Sequence, residues 1–327
     1  MFIDAYSHAM PQSYKDALLA RNIPDHPFIP PFLSDMEARR RALQESPADV
    51  QFVAVPMQLP YQYDLPQSVF ADLAKIYNDG LAEMQLNNSD LLFATVASIP
   101  GDNVDNALNE ARRAIEKLGM KGILLPCNCR GIEPSSDMLR PLLKLMASYN
   151  LPVWLHPWTP ISGRPKVSAS DAWDGWDMLA DTSDAMLHLV LADIFEEEPN
   201  IKIIAHHGGA HIPFFHTRMK SQYFWRIGAV GNKYAPDFKE PDHTVAYRQY
   251  EDLKKFYVDT AFYGMCTPQI EACISFFGED HVLFGSDYPL PSAEELPLAM
   301  QSVDELSDSE ATKAAIRNGN IKRLLMA

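Results

Sequence analysis

The chain has 327 residues, a formal net charge of −15, 47% hydrophobic residues and 22% charged residues. That balance is ordinary for a globular protein with a large core, and the acidity argues against a nucleic-acid backbone or an anionic membrane as partner. Four cysteines are too few for a disulfide framework in a chain this long, and the Cys127–Cys129 spacing is not that of a structural zinc site. Met1-Phe2-Ile3-Asp4 reaches a charge too early for an apolar targeting core, and no apolar run approaches the roughly 20 residues that span a bilayer. A cytoplasmic protein with reduced thiols is expected.

Taken in order, Met1-Phe2-Ile3 reads as a short first strand that empties into Asp4-Ala5-Tyr6-Ser7-His8. Ser34 and Glu37 have capping-box spacing and predict a helix to about Glu45. Val50–Val55 is the second strand, Pro66–Met84 a helix, and Leu91–Ile99 the third strand. Apolar residues from Val104 to Leu118 recur at helical spacing, and Gly119 is placed to cap that helix. Gly122–Leu125 is the fourth strand, Met138–Tyr149 a helix, and Pro152–Leu155 the fifth strand, ending on His156.

Thr159–Thr182 reads as a long irregular excursion, the kind of segment that serves as a lid. Asp184–Glu197 reads as helix and Ile201–Ala205 as the sixth strand, ending on His206-His207-Gly208-Gly209. Ile212–Ile227 is helical, and Gly228–His243 is a second excursion. Phe256–Val258 is the seventh strand, ending on Asp259, and Pro268–Phe277 a helix. Val282–Phe284 is the eighth strand, broken at Gly285 and followed by Asp287. A closing helix, Ser307–Leu325, carries a second capping box at Ser307 and Glu310. Eight short apolar strands separated by helices describe an α/β protein, a (β/α)8 TIM barrel with inserted lid loops, and a single domain over residues 1–327 is expected.

Barrel active sites form where strands end. His8, His156, His206 and Asp287 follow four different strands, and a closed barrel brings them to one rim. Imidazole and carboxylate suit a divalent metal of the zinc type, with manganese an alternative. Taken singly, each of these histidines reads more readily as a surface or satisfied core residue, and the joint placement at strand ends is what favours a site. His207 is assigned a hydrogen-bonding role, and the remaining histidines read as packing or surface residues.

The pieces Ile3–His8, His156-Pro157-Trp158, Ala205–Gly209, Val258-Asp259 and Gly285–Pro289, with Asn320 near the end, resemble the amidohydrolase superfamily. The resemblance spans essentially the whole chain and is strongest to the aminocarboxymuconate-semialdehyde and γ-resorcylate decarboxylase branch. It implies metal ligation by His8, His156 and Asp287, and proton transfer by His206 and Asp287. It also implies a small carboxylic acid as substrate and a homo-oligomer of two or more chains. The family's first strand normally ends His-x-His or Glu-x-His, whereas this chain has Tyr6-Ser7-His8. Tyr6 is either a tyrosinate ligand, its pKa lowered by the dication, or a packing residue. Arg164 and Lys166 in the first excursion are candidates to pair with a substrate carboxylate, and Trp158 joins Arg164 as substrate-binding. The implied reaction is non-oxidative decarboxylation. Metal-dependent hydrolysis of a lactone, ester or amide is the alternative, and a metal-free ligand-binding barrel is the third reading.

Overall fold

The computed structural model describes residues 1–24, 33–44, 48–57, 59–61, 63–157, 173–227, 243–290 and 295–326. Its strands are β1 (Phe2–Ala9), β2 (Val50–Pro56), β3 (Leu92–Thr95), β4 (Ala97–Ser98), β5 (Ile123–Pro126), β6 (Val153–His156), β7 (Ile203–Ala205) and β8 (Tyr257–Val258). They pair in parallel in two runs, β1-β2-β3 and β4 through β8. The third strand of the sequence reading is β3 and β4 together, carried through Val96, whose N–H donates to the Ala54 carbonyl (3.0 Å).

The remaining gap is closed by the segment around Val282–Phe284. Leu283 N–H donates to Val258 O (2.8 Å) on one side, and Ala5 N–H to Phe284 O (2.7 Å) on the other. Asp287 N–H to Tyr6 O (2.9 Å) and His8 N–H to Tyr288 O (2.7 Å) continue the seam to the strand ends. The ring of a (β/α)8 barrel is therefore complete.

Two apolar clusters follow from the alternation of strand side chains. Ile3, Val53, Val55, Ala94, Val96, Leu124, Trp154, Ile204 and Leu283 fill the barrel interior. Their neighbours along the strands, such as Phe52, Ala54, Leu125, Leu155 and Ala205, pack outward against the helices. Trp154, wholly buried, crosses the interior and donates its indole N–H to Ala5 O (3.0 Å). It forms a floor beneath the strand ends.

Several helices begin where their polar residues say they should. Asp35, next to the expected Ser34, caps the helix Met36–Leu43 by accepting from Ala38 N–H (2.9 Å). Gly119 ends the helix Val104–Leu118 in the left-handed conformation (φ 71°). The last helical run differs: Ser309, not Ser307, caps it through Thr312 N–H, and Ser307 donates to Glu271 instead. The excursion expected at Thr159–Thr182 is helical in its last part, a π-type turn at Trp173–Asp177 leading into the helix Met178–Leu191. Asp181 and Thr182 are buried there, and polar residues on the inner face had masked the period. The rest of that excursion, and 228–242 of the second, lie outside the described residues. Two helices went unread, His243–Asp252 and Glu295–Asp304. None of the described helices is long and apolar enough to cross a membrane. All four cysteines are buried and unpaired.

The closing seam is held by side chains from the far ends of the chain. Asn320 donates its amide to Val282 O (2.7 Å) and Glu279 O (2.8 Å). Buried Asp4 accepts from Tyr6 N–H (3.0 Å) and Ser286 N–H (3.1 Å), and the Ser286 hydroxyl donates to its second oxygen. Burial outweighs these bonds and pushes the Asp4 carboxyl up to about 7.

Two predictions follow from the seam. Asn320→Ala leaves the Val282 carbonyl without its donor and should cost about 1–3 kcal/mol in a urea unfolding series. For Asp4, the folded chain keeps the proton up to about 7 while an unfolded carboxyl releases it near 3.8. Stability therefore falls as pH rises through that window and levels above it. Asp4→Asn fixes the neutral form, so its thermal midpoint should drop less than that of the parent between pH 5 and pH 8. Parallel curves for the two proteins would contradict the assignment.

Candidate active site

Each candidate side chain stands at the end of a strand, with one ring nitrogen held from behind. His8, at the end of β1, turns Nδ1 to the Val55 carbonyl of β2 (3.3 Å). His156, the last residue of β6, turns Nδ1 to the carbonyl of Pro157. A carbonyl can only accept, so each Nδ1 carries the proton and each Nε2 keeps a lone pair. His206 follows β7, and its Nδ1 donates to Asp259 Oδ2 (2.6 Å) at the end of β8.

The free ends converge. His8 Nε2 lies 3.3 Å from His156 Nε2 and 3.1 Å from Asp287 Oδ1. His206 Nε2 lies 3.3 Å from the same carboxylate oxygen. Both His206 Nε2 and Asp287 Oδ1 are buried without a hydrogen-bond partner. With the His8 and His156 rings neutral, Nε2 of each and Oδ1 of Asp287 turn lone pairs toward one another, an arrangement that a cation would satisfy. The His8–His156 and His8–Asp287 separations match the ~3.0–3.4 Å edges expected when ligand atoms sit about 2.1 Å from one ion. Among the described residues, His8, His156 and His206 bring three ligand atoms within 4.8 Å of one another, as do His206, His207 and Asp287. The donor set fits a divalent cation.

Burial and mutual charge fix the protonation of the cluster. Burial, with His8 and His206 nearby, holds His156 well below its ordinary value, so the ring is neutral. Burial opposes charge on His206 too, but Asp259 and then Asp287 outweigh it and push that ring up to about 9. Burial also opposes the Asp287 carboxylate, and the His206 and His8 imidazoles outweigh it, holding Asp287 well below the usual carboxylate range. His207, tilted against His206 with centroids 3.7 Å apart, is lowered to about 3 by burial and by its charged neighbour.

Tyr6 lies inside the barrel beside Ala5, where the β1–β2 register shifts between Asp4 and Ser7 and breaks the alternation of the strand. Its ring stacks on His206 (centroids 3.7 Å, 12° between planes) and its hydroxyl donates to Leu155 O (3.2 Å). Burial and the carboxylates of Asp259 and Asp287 push its phenol well above 10. Arg164, Lys166 and Trp158 lie outside the described residues. Of the remaining histidines, His188 pairs with Glu133, His216 bonds the Tyr250 hydroxyl, and His281 pairs with Asp280, all away from the cluster.

The sequence reading gave no role to Asp259 or Tyr263. Asp259 was visible as a polar residue closing an apolar strand, the signal that found His156 and His206. Tyr263, which donates its hydroxyl to Asp287 Oδ2, had no such signal. Two glycines make room for these contacts. A Cβ on Gly208 (φ 64°) would fall 2.0 Å from the Phe262 ring, and one on Gly285 would fall 2.8 Å from Asp259 Cβ and 3.1 Å from Tyr6 Cβ.

Among characterised proteins, the 2-amino-3-carboxymuconate-6-semialdehyde decarboxylase of Dictyostelium discoideum is 28% identical over 295 residues, 89% of this chain and 76% of that protein. A γ-resorcylate decarboxylase from a Polaromonas species is 25% identical over 314 residues, 92% and 90% of the two chains. The structure of 5-carboxyvanillate decarboxylase from Sphingomonas paucimobilis superposes with a TM-score of 0.81 at 19% identity, covering 99% of this chain and 98% of that one. A dihydroxybenzoic acid decarboxylase from Polaromonas, solved with manganese and 2-nitroresorcinol bound, gives a TM-score of 0.79 at 22% identity, covering 99% and 96%. At such identities the superpositions speak for the barrel fold. The amidohydrolase family model (Amidohydro_2) matches residues 3–326, nearly every position of the barrel just described, and the chain belongs to that family.

Proposed function

We propose that this protein is a metal-dependent, non-oxidative decarboxylase of a small aromatic or unsaturated carboxylic acid. The observation that carries the reading is the buried set of facing lone pairs on His8, His156 and Asp287, with charged His206 beside it. The reaction class rests on the two relatives of 25–28% identity, both named as decarboxylases and both matched over most of their length.

His8, His156 and Asp287 would hold the cation, zinc or manganese, through one atom each. Manganese is bound in the Polaromonas dihydroxybenzoic acid decarboxylase, and either ion suits imidazole and carboxylate. Tyr6 takes the packing role, because its hydroxyl is committed to Leu155. When bound, the dication supplies Lewis acidity that orients the substrate carboxylate and draws charge onto its oxygens.

The proton work falls to the chain's own residues. Asp259 fixes the His206 ring and keeps it charged, so that Nε2 carries a proton into the site. That proton passes to the carbon bearing the carboxylate, with π electrons of the substrate forming the new C–H bond. The bond to the carboxylate then breaks, its electron pair restores the π system, and carbon dioxide leaves. Asp287 Oδ1, 3.3 Å from Nε2, steers the proton, and solvent replaces it after turnover. On chemistry alone, Arg164 suits the substrate carboxylate and Trp158 the substrate ring.

Carbon dioxide release from a panel of hydroxybenzoates and muconate-like acids, run beside a lactone panel, tests the reaction. Turnover of lactones alone would replace decarboxylation with hydrolysis. Two substitutions separate the roles. His156→Ala should lose bound metal and activity together, read by elemental analysis and kcat. His206→Gln should keep its metal while kcat falls by about 10²–10⁴-fold, the usual contribution of a positioned acid. Metal loss in the His206 variant would make that residue a ligand instead.

A further inference from the structure

We propose that Tyr263 is a positioning residue that fixes how Asp287 presents its carboxylate, an inference that rests on the metal-dependent reading above. Its phenol donates to Oδ2, while Oδ1 alone faces the Nε2 atoms of His8 and His206. The two oxygens of one carboxylate are thereby divided between an outer donor and an inner cluster. Without the outer donor, rotation about the Cβ–Cγ bond could exchange the two oxygens, or both could turn inward together.

The backbone around Tyr263 is built to make this contact. Tyr263 (φ 62°) and Gly264 (φ 63°) are successive left-handed residues, a conformation that a tyrosine adopts only under constraint. The surrounding loop is pinned at four points. Asp259 Oδ1 accepts from Ala261 N–H (3.0 Å), and Thr260 O from Phe262 N–H (2.9 Å). Glu295 Oε2 accepts from Gly264 N–H (2.7 Å), and Ser302 Oγ from Cys266 N–H (2.9 Å). Asp259 therefore serves two strand ends at once, orienting His206 with one oxygen and starting the Tyr263 loop with the other. Tyr263 is 49% exposed, and its hydroxyl reaches in to bond Asp287 Oδ2.

The test uses the full-length, manganese-loaded protein equilibrated against graded chelator, with metal content as the readout and steady-state kinetics alongside. Tyr263→Phe removes one oxygen. It should release manganese at about tenfold lower chelator concentration and lower kcat more than KM, the size usual for a residue behind a metal ligand. Tyr263→His, which restores an N–H donor, should recover part of both. Because Asp287 loses a donor, the metal-free Tyr263→Phe protein should also lose some thermal stability, so manganese release and the split between kcat and KM, not the thermal midpoint, read the positioning role. Manganese retention and kcat equal to the parent in Tyr263→Phe would overturn this inference alone. A parent protein that takes up neither manganese nor zinc would overturn it together with the reading beneath it.

Discussion

An ionised carboxylate sits at the end of an apolar strand, sealed from water, and the architecture of the barrel mouth answers to it. Taking such a charge out of water costs several kcal/mol unless compensating charge is supplied. For Asp287 the compensation comes from two imidazoles on one oxygen and a phenol on the other. Each of these groups is in turn held from behind. His8 leans on a β2 carbonyl, His206 on Asp259, and Tyr263 on a loop that Asp259 also organises. The result is two layers of polar contacts in which each imidazole has one nitrogen fixed and one aimed inward.

This arrangement explains why small residues recur beside the site. Gly208 and Gly285 stand where backbone must pass within van der Waals distance of Phe262, Asp259 and Tyr6. The flat contact between Tyr6 and His206 depends on the same closeness. A ring stacked on a charged imidazole shields one face of it from water while leaving both nitrogens in the plane free to bond. Tyr6 thus contributes to the site without presenting its oxygen to it.

The barrel was legible in the sequence because buried parallel strands are continuous apolar runs, and each ended on a polar residue or a turn signal. Val282–Phe284 pairs on both sides, although too briefly to form a regular strand with either neighbour. His8, His156, His206 and Asp287 were found by the same rule. What the sequence could not convey was contact across a loop. Tyr263 reaches Asp287 because of two left-handed residues, a conformation that leaves no mark on hydropathy. The helix Met178–Leu191 was read as starting at Asp184 and running on to Glu197 for a related reason. Asp181 and Thr182 face inward, and a period built on hydrophobicity cannot see buried polar groups. Two adjacent cap candidates, Ser34 and Asp35, differ by one position, which local spacing alone does not resolve.

The seam that closes the ring joins residues 282 positions apart, Asp4 and Ser286. His8 and Asp287 flank that seam, so their 3.1 Å approach exists only once the last strand has docked against the first. A partly assembled barrel holds some of the imidazoles but not the carboxylate. Anything that seats between these two side chains therefore stabilises the finished ring and nothing earlier on the folding route. Occupancy of the pocket becomes a readout of complete assembly, and the same few atoms that serve chemistry also act as the clasp of the barrel.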